Sequence, residues 1–388
     1  MTRKLQQWVF GALVAVCLAP SAALAQYGDY YLTWDNFGNG FSVGAPGSGS
    51  KWFYFGAGPF VGNDGQTSPY NGGMYVWAPY WHPTTGMPAF TKTVAPEHVS
   101  GLPGGFDHVK WLVYMNHFSS QGVPGFDAQW NYELSCSTNM SGASYGNELH
   151  PFGGNVANPQ SDVRLATYAM NTVDFESYMV FDFMFTNEMV YAIYERLPFG
   201  RTSWNNYAAF TYAVPVKARS AWSNHNMSIS YDQRGGVVRW IIDGVEVFSV
   251  NNIGYRLSNP DWMIIDHGGT EQSVTMNQLA CGMGMFTLLD GTSSWGAGLV
   301  RLSNAPGFYY HPHESSWGQW FADENSSDSS RLFGQGAYFH VGSYSVQSTQ
   351  IYFELPPPDY CPYPYPYDPY PYGPYPDRFP RHELCIPY

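Results

Sequence analysis

From Asn226 to Asn252 the chain reads NMSISYDQRGGVVRWIIDGVEVFSVNN, and apolar and polar positions alternate through its middle. Val238, Trp240 and Ile242 fall on one side of a period-two pattern, with Arg239 and Asp243 on the other. Asp243-Gly244 is a tight-turn pair leading into Val245 and Val247, so the spacing predicts a β-hairpin. The same period recurs upstream. Val109, Trp111, Val113 and Met115 share one face of a strand, and Trp130, Tyr132 and Leu134 alternate with Asn131, Glu133 and Ser135 in a half-buried strand that brings Cys136 near its end. Two longer runs, Val173 to Phe185 and Met189 to Leu197, flank Thr186-Asn187-Glu188 and are expected to pair. Ala208 to Val216 and Met227 to Tyr231 supply two more strands, and Ala337 to Leu355 the last ones. Gln272 to Leu289 fits two periods: Met276, Leu279, Met283 and Phe286 have helical spacing, whereas Gly282, Gly284 and their neighbours alternate. The glycines favour a strand. Leu302 to Ser330 reads as a long loop.

Composition agrees with this pattern. Aromatic residues make up 18% of the 388-residue chain and charged ones 12%, with 41 Gly and 29 Pro, a balance that favours short strands and turns over long helices. The expected fold class is all-β, an antiparallel two-sheet sandwich built as one domain over residues 26–355. Residues 356–388 contain PYPYPYDPYPYGPYP, whose prolines forbid sheet pairing and favour an extended, disordered tail. At the other end Arg3 and Lys4 precede an apolar run from Trp8 to Leu18 and then Ala23-Leu24-Ala25, the pattern of a secretory signal peptide over residues 1–25. Cleavage near Ala25 would deliver the protein to a bacterial periplasm or the extracellular space.

Charge and cysteines narrow the partners. A formal net charge of -13, more negative still once Arg3 and Lys4 are removed, argues against nucleic acid, and no later segment is long enough for membrane insertion. Four cysteines remain after cleavage, Cys136, Cys281, Cys361 and Cys385, an even number in an oxidising compartment. Three pairings are possible. Cys136 with Cys281 and Cys361 with Cys385 is preferred, because the second pair brackets the low-complexity segment. No metal or cofactor is expected: His311-Pro312-His313-Glu314 lacks further ligands at zinc spacing, and Asp323 to Asp328 lacks the spacing of an EF-hand loop.

The strand that ends in Asp243-Gly244 resembles the hairpin of family-16 glycoside hydrolases and other concanavalin A-like jelly rolls. That resemblance implies a jelly-roll sandwich with a concave sheet able to hold a polysaccharide. Those enzymes carry their acids in a Glu-x-Asp-x-Glu run. Here the nearest approximation, Asp174-Phe175-Glu176-Ser177-Tyr178, has a tyrosine where the third acid belongs.

Candidate chemistry follows from these expectations. If Val173 to Phe185 is one regular strand, Asp174, Glu176 and Asp182 share a face, and Glu195 lies on the partner strand with Arg196 beside it. Glu176 and Glu195, with Asp182, are the candidate catalytic carboxylates of a glycoside hydrolase. Trp317, Trp320 and Trp204 are candidate sugar platforms in polar segments, and Arg239 and Arg196 candidate substrate contacts, Arg239 being expected near the carboxylates. Three functions fit: a secreted glycan-binding protein without catalysis, a divergent glycoside hydrolase, and an extracellular or envelope-associated structural protein.

Overall fold

A computed structural model describes residues 27–57, 60–78, 109–150, 154, 156–287 and 335–351. It also gives the backbone of four short strands at 297–300, 310–311, 314–318 and 320–323. The predicted signal peptide, the Pro/Tyr tail and the Cys361–Cys385 pair lie outside the described residues. The described part is an antiparallel sandwich of two large sheets, the architecture that the alternating pattern implies. Its described helical segments are three 3-10 turns, at Asn147–Leu149, Pro198–Gly200 and Pro260–Trp262, and none of its helices is long and apolar enough to cross a membrane.

Strands are numbered along the chain. The eight-stranded sheet is centred on two long strands, β9 (Tyr132–Tyr145) and β23 (Gly336–Gln350), paired along almost their whole length. Beyond β9 lie β14 (His225–Asp232), β15 (Val237–Ile242) and β16 (Val245–Val250). The other edge of β23 is shared by β6 (Gly73–Trp77), which pairs with β5 (Gln66–Tyr70), and by β1 (Tyr30–Asp35). The eleven-stranded sheet runs β2 (Trp52–Tyr54), β7 (Val109–Met115), β18 (Gln278–Phe286), β10 (Thr167–Asp174), β11 (Met179–Phe185), β12 (Met189–Arg196), β13 (Phe210–Ala218) and β17 (Met263–Asp266). It continues into β20 (Tyr310–His311) and β21 (Glu314–Gly318), and β8 (Phe126–Asp127) pairs with β18. Two small two-stranded sheets join β3 (Gly56–Ala57) to β4 (Phe60–Val61) and β19 (Ala297–Val300) to β22 (Trp320–Asp323).

The hairpin forms as its sequence dictates. Ile242 and Val245 close a two-residue loop, and Asp243 and Gly244 both adopt positive φ, 53° and 80°, the type I′ geometry whose twist matches the flanking strands. Val238, Trp240 and Ile242 point inward and are buried. Trp240 stacks edge-on against Phe181 of the opposite sheet and donates its indole N–H to the backbone oxygen of Asp182 at 2.9 Å. Other large core residues solve the same problem in the same way. Tyr344 donates to the carbonyl of Gly282 at 2.7 Å, the Tyr231 hydroxyl accepts from the Met276 N–H at 3.1 Å, and Trp52 donates to Asp35 at 2.8 Å. Each of these four aromatics thus gives its area to the core and its polar atom to a partner.

Three expectations change. The Val173 to Phe185 run is broken after Asp174, and β11 resumes at Met179, because Asp174 accepts hydrogen bonds from Ser177 and the Glu176 N–H and closes a turn. The strand that carries Cys136 continues nine residues to Tyr145, since it gains β23 as a second neighbour. The 302–330 segment contains short strands, with β20, β21 and β22 inside it.

The eleven-stranded sheet is buried on both faces. Its inner face, with Trp111, Met170, Phe181, Phe183 and Tyr194, meets the other sheet. Its outer face carries Leu112, Ala169, Val180, Met184, Ile193 and Ala213, which form a second buried apolar cluster. The described members of that cluster come from this sheet and its own connections.

Cys136 on β9 and Cys281 on β18 form the expected disulfide, with a Cα–Cα distance of 5.9 Å. It ties the two sheets together across 145 residues of chain. Replacing both cysteines by alanine is expected to cost about 2–5 kcal/mol, from the loss of a long-loop constraint on the unfolded chain. The midpoint of urea unfolding checks this, and an unchanged midpoint would show that packing alone holds the sheets in register.

The hairpin turn has its own pH signature. Partial burial raises the Asp243 pKa, but hydrogen bonds from His225, the Asn226 N–H and Lys217 outweigh it and bring the carboxyl down to about 2. A carboxylate with a folded pKa below its unfolded value of about 3.9 stabilises the fold above that pH, and the contribution disappears as pH falls toward 2. Asp243→Asn keeps a residue suited to the turn and removes the charge. Its stability deficit, followed by thermal unfolding, is expected to be present at pH 6 and to close as the pH is lowered through this window (roughly 4 to 2).

Candidate functional site

Two surfaces qualify by chemistry, one buried and one open. The buried one lies on the outer face of the eleven-stranded sheet. Asp182 stands opposite Asn171 in the β10–β11 register, accepting from the Asn171 amide at 2.7 Å and the Thr172 N–H at 2.8 Å. It is 4% exposed. Burial pushes its carboxyl well above the usual carboxylate range; the Thr172 and Asn171 hydrogen bonds oppose this, and the charge of Glu195 adds to it. Glu195 pairs with Val180 while Asp182 pairs with Ile193, so the two acids are diagonal neighbours on one face, positions that lie about 7 Å apart. Glu195 accepts a 2.5 Å hydrogen bond from Thr211. The ring of Tyr114 lies over Gly282, where a Cβ would come within 2.6 Å of it, and both acids raise the Tyr114 pKa after burial does.

Glu176 does not join them on a strand. It sits in the β10–β11 turn, where Gln278 donates to it at 2.9 Å and also donates to Asp174. The pair brought together is therefore Asp182 and Glu195, not Glu176 and Glu195.

The two arginines are likewise redistributed. Arg196 is buried, with its guanidinium 3.9 Å from the centre of the Tyr207 ring and its Nε donating to the Ser177 carbonyl. It braces the β10–β11 turn. Arg239 is separated from the carboxylates, contrary to expectation, because strand alternation that turns Trp240 inward must turn Arg239 outward. It forms ion pairs with Glu133 at 2.9 Å and Glu246 at 3.4 Å on the solvent side of the eight-stranded sheet. Trp204 is 85% exposed in the β12–β13 connection and makes no ring contact among the described residues. Trp317 and Trp320 belong to β21 and β22, and their side chains lie outside the described residues.

The open surface is the solvent face of the eight-stranded sheet. Tyr75 and Trp77 alternate with buried Met74 and Val76 along β6, and register places them opposite His340 and Tyr338. Tyr70 packs on Tyr75 at 4.8 Å and Tyr75 on His340 at 5.1 Å. Tyr338 is stacked between Trp222, at 4.9 Å, and Tyr145, at 5.6 Å. An open groove of about 440 Å³ runs among these rings, lined by Ser68, Tyr75, Trp77, Tyr145, Trp222 and Tyr338.

Trp222 is held there by its backbone. It comes from the β13–β14 connection, is 43% exposed and has φ +67°, a conformation that a bulky residue rarely adopts and that costs of order 1–3 kcal/mol unless the surroundings enforce it. The enforcement is visible. The Trp222 N–H donates to the Gly142 carbonyl at 2.9 Å, and buried Arg219 donates to the same carbonyl and to that of Thr186. Tyr145 is fixed by its hydroxyl, which donates to the Ala78 carbonyl at 2.8 Å. None of these aromatics stands out in the sequence, although Trp222 lies between Ala221 and Ser223 in a polar segment, the same signal that singles out Trp204. Among the described residues no group of three or more His, Cys, Asp or Glu could hold a metal ion.

Comparisons with known proteins give one family and several remote likenesses. Uncharacterized protein L829 of Acanthamoeba polyphaga mimivirus is 30% identical over 258 residues, which are 52% of this chain and 56% of that protein. The chain thus spans little more than half the length of that relative. Among solved structures, alginate lyase A1-II' of polysaccharide lyase family 7 is 12% identical over 76% of this chain and 86% of its own, with a TM-score of 0.35. The Bacillus licheniformis β-glucanase is 10% identical over 83% of this chain and 98% of its own, with a TM-score of 0.34. At those scores the sandwich assignment rests on the strand order itself. A family model matches residues 34–350, and the chain therefore belongs to DUF6081, a family of unknown function.

Proposed function

We propose that this is a secreted protein that binds a polysaccharide or other glycan on the aromatic face of its eight-stranded sheet, without cleaving it. The observation that carries this reading is the open groove between Trp222, Tyr338, Tyr145 and Tyr75. Sugar rings present flat C–H faces that pack on aromatic rings, while their hydroxyls need polar groups at the rim, and a groove of rings with hydroxyls at its edge meets both needs. Rigid placement of Trp222 favours binding, because little ordering entropy remains to be lost. The buried Cys136–Cys281 disulfide supports an oxidising compartment, in keeping with the signal-peptide pattern at residues 1–25.

One observation favours a second reading, a glycoside hydrolase. Asp182 and Glu195 are neighbouring acids whose environments differ, one buried with a raised pKa and one hydrogen-bonded to Thr211, as acid and base roles require. Against it, Asp182 and its surroundings are buried, so a substrate would have to displace whatever covers that face.

The two readings separate in one series. Trp222→Gly removes the ring at a position whose positive φ glycine tolerates, and Tyr75→Ala removes the ring that meets Trp222 edge-on at 6.4 Å. Each is expected to weaken glycan binding about tenfold or more by titration calorimetry, equivalent to ~1.4 kcal/mol, while Glu195→Gln binds as the parent does. Release of reducing ends that disappears in Glu195→Gln would establish the hydrolase instead. A protein that binds no member of a broad glycan panel would leave an extracellular or envelope-associated structural role.

A further inference from the structure

We infer that the ligand of the aromatic groove is an uncharged polysaccharide, and that its chain leaves the groove and runs along β9 over rows of serine and asparagine side chains. This inference rests on the glycan reading and specifies its ligand. Its basis is a charge pattern. Residues 66–70 of β5, 73–77 of β6, 135–145 of β9, 226–230 of β14 and 336–350 of β23 contain no Asp, Glu, Lys or Arg. A solvent-facing sheet ordinarily carries charged side chains, which keep it soluble and block pairing with other sheets. Here those positions hold hydroxyls and amides instead.

The rows are set by register. Ser141 stands opposite His340, and His340 opposite Tyr75. Ser137 lies between Ser228 on β14 and Ser345 on β23, and Ser135 between Ser230 and Gln347. Ser230, which donates to Glu133, and Ser345 are buried, so Ser135, Ser137, Ser228 and Gln347 are the members of these rows that reach solvent. These residues project away from the core because their neighbours Leu134, Cys136 and Met140 project into it. From Tyr145 at the groove to Ser137 is eight residues of β9, about 27 Å of strand. The strip stops where charge begins, at Glu133 with its Arg239 ion pair.

Such a surface selects by what it withholds. A uronate or sulfated chain would find no Lys or Arg within the strip, the flanking Arg239 being already paired with Glu133 and Glu246, and would meet the field of a protein with net charge -13. A neutral chain has no charge to strip of water there, and its hydroxyls can exchange water for serine, asparagine and glutamine partners. The rings supply the apolar contact and the rows supply direction.

Titration calorimetry with neutral oligosaccharides (gluco-, xylo- and manno-series), each short and long, beside oligogalacturonate and oligoalginate of matched length tests this. Neutral chains are expected to bind with little dependence on salt, and the long members more tightly than the short. Asn139→Asp and Gln347→Glu add charge to the strip with almost no change in shape. Together they are expected to weaken a long neutral chain about tenfold and to leave a short one unchanged, with the melting temperature as a control for folding. Equal loss for short and long chains, or no loss for either, overturns the path along β9. Preference for the uronate chains overturns the neutral ligand while the glycan reading stands, and absence of binding to every chain overturns both.

Discussion

Burial of the eleven-stranded sheet on both faces is the constraint from which most of the molecule follows. A sheet with Phe181 and Tyr194 on one side and Val180, Met184 and Ile193 on the other has apolar side chains buried on both faces. Its carboxylates become problems of burial. Asp174 is pushed upward by desolvation and held by Ser177 and Gln278, and Asp182 is pushed further and held by Thr172 and Asn171. The eight-stranded sheet has one face on the core and one toward solvent, and the proposed glycan site lies on the solvent face.

What joins the two sheets also shapes that surface. The disulfide and the Trp240 indole bond cross from one sheet to the other, and the long β9–β23 pair carries both core and surface. Cys136 and Met140 of β9 pack inward while Ser135, Ser137 and Ser141 face out, and β23 does the same with Phe339 against Tyr338 and His340. The aromatic groove is therefore mounted on the best-anchored strands. Trp222 is the exception, a loop residue, and its left-handed backbone is fixed by Gly142 of β9 and by the buried Arg219.

Much of the fold was legible because its rule is local. Alternation along Val237–Ile242 and the Asp243-Gly244 pair name a hairpin without reference to the rest of the chain, and two glycines in β18 settle a helix-or-strand ambiguity correctly. The site was far less legible. Placing Arg239 near Asp182 required knowing which sheet each belongs to, and alternation gives a face but not a sheet. Grouping Glu176 with Asp182 failed on a turn that Asp174 and Ser177 make through side-chain bonds. The groove combines Tyr75, Tyr145, Trp222 and Tyr338, separated by up to 263 residues in the chain and joined only by register. The absence of charge from long stretches of five strands, by contrast, is plain in the sequence once those strands are known to be neighbours.

Amide hydrogen exchange with and without a bound neutral oligosaccharide tests the central claim most directly, since exchange reports local protection segment by segment. New protection is expected at residues 68–78, 141–145, 219–223 and 336–342, the segments that build the aromatic face. Protection confined instead to residues 169–173, 180–184 and 191–195 would place the ligand on the eleven-stranded sheet and contradict the account.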